Sequence, residues 1–125
     1  MKTVLFDTNF FYVKLSGRDL FEEVENALDS QIELITLDKC VKELTGFAKG
    51  QTKEAAGAKV ALAIIRGKKF QVRTASGKAD NAILAYAQEH PGVTVSTNDV
   101  ILRKRLREVK VPVLTLHGAS SLVLV

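Results

Sequence analysis

Short apolar, β-branched runs recur along this chain, and each is followed after a turn by a stretch with helical periodicity. Val4-Leu5-Phe6 is one such run. The segment Leu20–Leu28 then has apolar residues at 20, 21, 24, 27 and 28 with acids at 22, 23 and 25, which is the 3.6-residue period of a surface helix. Residues 32–37 read as a second strand, and from Asp38 the apolar positions 40, 41, 44, 47 and 48 describe a helix closed by Gly50. A helix over 52–65, a half-polar strand over 70–74 and a helix over 80–90 stopped by Pro91-Gly92 come next. A β-branched strand over 93–97, a helix over 98–110 and a core strand over 113–116 complete the series. Neighbouring parallel strands need crossover connections, so the alternation predicts an α/β fold with a central parallel β-sheet and helices on both faces. The apolar run over 10–15 reads as a continuation of the first strand. Residues 120–125 read either as an added edge strand or as a segment packed on another subunit.

A chain of 125 residues suits one domain, 1–125, and 46% hydrophobic with 26% charged residues excludes a disordered or fibrous chain. The single cysteine, Cys40, closes no intrachain disulfide and supplies no Cys-rich zinc site, so a reducing, cytoplasmic setting is expected. Asp7 interrupts the first apolar run far short of a signal-peptide core or a span of roughly 20 residues, so no membrane partner is expected. Charge is uneven. Residues 1–62 carry eight basic and ten acidic side chains, and residues 63–125 carry ten and four.

In an open parallel sheet the loops leaving the strands' carboxyl ends share one edge, and ligands bind there. Asp7 follows the first strand, Glu43 lies in the early turns of the helix after the second, and Asp80 and Asp99 open the helices after the strands over 70–74 and 93–97. Each alone fits a helix cap or a first-turn acid, a contribution of about 0.5–2 kcal/mol. Together they differ from caps, because Asp80 is in phase with Ile83, Leu84 and Ala87, Glu43 with Cys40 and Phe47, and Asp99 with Leu102 and Leu106. Asp38, between a strand and its helix, fits an N-cap. Carboxylates about 6 Å apart repel by roughly 3 kcal/mol per pair at an effective dielectric near 20, so a converging quartet requires protons or cations. All-oxygen donors favour Mg²⁺ or Mn²⁺ over zinc, and the two histidines, His90 and His117, are far apart in the sequence. Hard divalent ions on carboxylates suit phosphodiester hydrolysis.

The segments Val4-Leu5-Phe6-Asp7-Thr8-Asn9, Val41-Lys42-Glu43-Leu44, Lys78-Ala79-Asp80-Asn81-Ala82-Ile83-Leu84 and Ser96-Thr97-Asn98-Asp99, with the basic helix after the last, resemble the PIN-domain nucleases over positions 4–116. The resemblance implies a three-layer α/β/α sandwich and an endoribonuclease site using one or two Mg²⁺ or Mn²⁺ ions. It places Asp7, Glu43, Asp80 and Asp99 as the acidic, metal-holding quartet, with Asn9 and Thr97 as polar neighbours. Where many relatives have further acids, this chain has Asn81 and Ile101. The region 97–107 looks most like archaeal relatives of the PIN proteins that process small-subunit ribosomal RNA, and the VapC-type toxins share the same quartet. The implied partners are RNA, an antitoxin or a ribosome-assembly protein, and a second copy of the chain. The alternative is a catalytically weak PIN domain that binds RNA during ribosome maturation.

On the helix after Asp99, Leu102, Leu106 and Val109 read as a core stripe and Arg103, Arg107 and Lys110 as a separate phosphate-binding stripe. Phe10, Phe11 and Tyr12 suit either core packing or the stacking of an unpaired base beside Asp7. Cys40 falls on an apolar stripe and reads as buried and inert. A phospho-acceptor receiver domain would want adjacent acids at the end of strand one, and Asp7 stands alone there. No Gly-x-Ser-x-Gly elbow is present.

Overall fold

Val4, Leu5 and Phe6 expose no surface, and the strand that carries them, β1 (Lys2–Phe6), lies inside a six-stranded sheet. The computed structural model describes residues 1–125. The other strands are β2 (Ile32–Leu37), β3 (Gln71–Arg73), β4 (Thr94–Ser96), β5 (Val113–His117) and β6 (Ser121–Leu124), and the sheet order is β3-β2-β1-β4-β5-β6. Val4 pairs with Leu34 on one side and Thr94 on the other. All pairings are parallel except β5 with β6, so the segment over 120–125 is an edge strand. From β1 the chain winds outward through β2 and β3, then returns to place β4 on the opposite side of β1. That reversal opens a crevice above the carboxyl ends of β1 and β4.

Five helices cover the sheet: α1 (Leu20–Leu28), α2 (Asp38–Phe47), α3 (Lys53–Gly67), α4 (Ala79–Glu89) and α5 (Val100–Glu108). The two-residue period of β1 divides the core. Leu5 points to one face, where it joins Ile83 of α4 with Leu102 and Leu106 of α5. Val4 and Phe6 point to the other, with Val24 of α1, Leu44 of α2, and Ala58, Ala61 and Ile65 of α3. On that second face Phe6 meets Phe10 edge-on at 5.2 Å and Phe70 at 5.3 Å, and stacks on Phe21 at 5.6 Å. This aromatic cluster fixes the position of the chain as it leaves β1. No helix is long and apolar enough to cross a membrane.

Several expectations need correction. The run over 10–15 does not extend β1; residues Thr8–Tyr12 form a 3₁₀ turn, begun when the Asp7 side chain accepts from the Thr8 amide. Phe10 and Phe11 are buried in the aromatic core, so the packing alternative holds for both. Asp38 does not cap α2: the capping position is Leu37, and Asp38 Oδ1 instead accepts from the Ala75 amide at 3.2 Å, tying the loop after β3 to α2. β3 is only three residues, all exposed, at the edge of the sheet. Val109 leaves the core stripe, 38% exposed, since α5 ends at Glu108. Lys110 also lies beyond that end, with φ 62°, and so does not continue a helical stripe with Arg103 and Arg107. Cys40 is fully buried, and burial pushes its thiol pKa up, which keeps it inert.

Candidate carboxylate site

Asp7 is the first residue past β1 and is 5% exposed, a poor environment for an anion. Three donors converge on it. Thr8 N donates to Oδ1 at 2.8 Å, while Thr97 Oγ1 at 2.7 Å and Asn9 Nδ2 at 3.3 Å donate to Oδ2. Thr97 follows β4, and its Oγ1 accepts from the Asp99 amide at 3.1 Å. An amide can only donate, so the single Thr97 hydroxyl proton is directed to Asp7. Asp99 Oδ1 in turn caps α5 through Leu102 N at 2.9 Å. Asn9 Oδ1 accepts from Asn98 N at 3.0 Å, and Asn98 Oδ1 accepts from Leu116 N at 2.9 Å and Thr115 Oγ1 at 3.2 Å. The loop after β1 is thus stitched through the loop after β4 to β5.

Glu43 and Asp80 arrive from α2 and α4. Whereas Asp7 and Asp99 are held by hydrogen bonds, these two carboxylates enter the same space without one. All four line one cavity of about 300 Å³, together with Tyr12, Phe47 and Glu54. Their electrostatics are coupled. Burial pushes the Asp7 pKa up to about 6; the Thr97 and Thr8 hydrogen bonds pull it down, and the charges of Asp80 and Glu43 raise it further. Asp80 is raised as well, first by burial, then by Asp99 and Glu43, with Arg105 acting against them.

No lysine or arginine forms an ion pair with any of the four, the only ion pair in the molecule being Arg18 with Glu23 at 3.8 Å. Arg105, whose charge acts on Asp80, donates through Nη2 to Asn81 Oδ1 at 2.9 Å. Asn81, one of the two positions where the resemblance would put a further acid, therefore engages the guanidinium. As the side chains stand, no three of them are gathered closely enough to enclose a cation. The donor chemistry nonetheless suits a hard divalent ion: all oxygen, mutually repelling and without an ion pair to a lysine or arginine. A larger cleft of about 840 Å³ lies elsewhere, beside Tyr86 and His90, and its acids Asp38 and Glu89 are matched by Lys39 and Arg73.

The structure brings Asp7, Glu43, Asp80 and Asp99 together, with Asn9 on the cavity wall and Thr97 beneath Asp7. Arg103 and Arg107 share a shallow depression with Lys104 on α5, and Arg107 and Lys110 border another; neither opens into the carboxylate cavity. Sequence reasoning missed Glu54 and Phe47. Glu54 sits in the first turn of a Thr52-capped helix, where an acid ordinarily complements the helix dipole, so nothing in the sequence marked it as a cavity residue.

Comparison with known proteins agrees with this arrangement. A model of the PIN like domain matches residues 4–119. The chain is 35% identical over 121 residues to Ribonuclease VapC4 of Methanocaldococcus jannaschii, covering 94% of this chain and 92% of that protein. Among solved structures it resembles the PIN domain endonuclease Utp24, with a TM-score of 0.80 and 26% identity over 98% of this chain and 90% of that one. The strand order, the acid at each carboxyl-edge junction and the family match over nearly the whole length lead to one assignment: this chain belongs to the PIN-like domain family.

Proposed function

We propose that this chain is an endoribonuclease that cuts RNA at the carboxylate cavity with the help of Mg²⁺ or Mn²⁺. The observation that carries the reading is the convergence of Asp7, Glu43, Asp80 and Asp99, from four separate segments, on one cavity with no ion pair to a lysine or arginine. The similarity to a ribonuclease and to a PIN endonuclease supports it. Asp7, Asp80 and Asp99 hold the cation or cations, and Glu43 holds metal or orients the attacking water. When bound, the ion polarises the phosphate, lowers the pKa of a water and stabilises the leaving oxygen. The chain's own part is to fix these oxygens. Asp7 is pinned by Thr97, Thr8 and Asn9, and Asp99 by its capping bond, while Glu43 and Asp80 remain free to adjust. In-line attack by water leaves a 5′-phosphate and a 3′-hydroxyl.

Arg103 and Arg107 on α5, with Lys110 just past its end, provide a basic surface for the RNA backbone outside the cavity. The single domain 1–125 acts in the cytoplasm. The VapC4 relative supports an antitoxin as partner; a ribosome-assembly protein and a second copy of the chain are the other partners in keeping with the family. The test is cleavage of a labelled single-stranded RNA with Mn²⁺, comparing the unaltered chain with Asp80→Asn. Loss of at least about a hundredfold with an unchanged circular dichroism spectrum is expected, in the range of removing one group that stabilises the transition state. Cleavage at the original rate, or cleavage that persists in EDTA, would remove the mechanism. A panel of precursor ribosomal RNA and transfer RNA then separates a processing role from a toxin role.

A further inference from the structure

Tyr12, Phe47 and Glu54 line the cavity without a part in this mechanism, and Tyr12 is the one whose placement is built into the fold. Tyr12 closes the 3₁₀ turn that begins at Asp7, and its ring lies against α3 over Gly57. A Cβ at position 57 would stand 2.6 Å from Tyr12 Cε1 and 3.0 Å from Cδ1, so no other residue fits beneath the ring where it lies. Glycine is a costly choice in the middle of a fifteen-residue helix, and here its missing side chain is the ring's seat. The hydroxyl that the seat positions is buried, and no group of the protein bonds to it. A buried donor without an acceptor is normally avoided. The carboxylates that face it are Glu54 and Glu43, and both raise its pKa, after the larger effect of burial, so Tyr12 stays a proton donor. Glu43 and Glu54 both line the same cavity without a side-chain hydrogen bond, and of the two it is Glu43 whose charge also acts on Asp7 and Asp80.

We propose that Tyr12 is a positioning residue for Glu43: its phenol hydroxyl, held beside the cavity by the Gly57 seat, donates to the Glu43 carboxylate when the site is loaded with cation and RNA. The proposal rests on the reading of Glu43 given above. The bond restricts a flexible side chain that otherwise samples many rotamers, and so fixes the oxygen that faces metal or water.

The experiment is a double-mutant cycle of Tyr12→Phe and Glu43→Gln, read in Mn²⁺-dependent RNA cleavage and in Mn²⁺ binding by calorimetry. Tyr12→Phe is expected to lower kcat about tenfold with KM unchanged, the size of one hydrogen bond to a charged group, and to weaken Mn²⁺ binding. In the Glu43→Gln background, where the remaining amide oxygen is an uncharged and weaker acceptor, it should change both quantities clearly less, and the urea midpoint of the metal-free chain should not fall. Gly57→Ala, which displaces the ring, should reproduce the loss in kcat. Unaltered kcat in Tyr12→Phe, or an effect of Tyr12→Phe that is the same with and without the Glu43→Gln change, would overturn the proposal. So would coupling to Glu54→Gln in place of Glu43→Gln. Full activity of Asp80→Asn marks instead the failure of the underlying site, so the two failures are distinguishable.

Discussion

Replacing Asp7 with asparagine separates the electrostatic strain of the cavity from its chemistry. In the folded chain burial raises the Asp7 pKa to about 6, against 3.8 for an unperturbed aspartate. A carboxyl with a raised folded-state pKa contributes stability at low pH that is lost as pH rises through the folded pKa, because the unfolded chain releases the proton first. At about 1.4 kcal/mol per pKa unit the full effect is about 3 kcal/mol, of which about 2 kcal/mol falls between about pH 4 and about pH 7. Asparagine at this position does not titrate. It keeps an acceptor for the Thr8 amide but faces Thr97 and Asn9 with an NH₂ group, a loss independent of pH. Urea unfolding of both proteins in EDTA across that window should therefore show the difference in stability drifting by about 2 kcal/mol in favour of Asp7→Asn as pH rises. Mn²⁺ should reverse the drift for the unaltered chain alone, since binding to the folded state stabilises it by RT ln(1 + [L]/Kd). Stability curves that run parallel for the two proteins would refute the argument that burial and neighbouring acids hold Asp7 in tension.

Two further outcomes follow from the geometry. Asp99→Asn retains an N-cap for α5, so its melting temperature should remain near that of the unaltered chain while Mn²⁺-dependent cleavage collapses; Asp99→Ala should lose about 1 kcal/mol in addition, measured by urea unfolding. Arg103→Gln with Arg107→Gln should weaken RNA binding and flatten the dependence of log K on log salt by between 1 and 2, roughly one per lost phosphate contact, in filter-binding titrations from low to moderate salt; an unchanged slope would take the α5 surface out of the RNA interface.

The parallel sheet, its flanking helices and the four acids were legible because each depends on patterns local to one strand or helix: β-branched runs, a 3.6-residue period and an acid at a strand's end. The 3₁₀ turn after Asp7 was hidden because Phe10 and Phe11 look the same in a strand as in a tight turn, and the deciding bond comes from the Asp7 side chain. Asp38 was misread because the partner it chose, the Ala75 amide, is 37 residues away. Val109 and Lys110 were assigned to faces of a helix that stops before them. Glu54 and Gly57 acquire their meaning only when α3 is packed on the 3₁₀ turn, a contact no local period encodes.

The stitching of Asn9 to Asn98, and of Asn98 to β5, ties segments separated by about ninety residues into one floor. Such a floor opens only when the neighbouring strands do, so the amides of Asn98 and Leu116 belong with the slowest-exchanging protons of the molecule. On the proposed function the work of deformation would fall on the nucleic acid, so unpaired stretches are expected to be cut faster than duplex, which cleavage of matched single- and double-stranded RNAs checks.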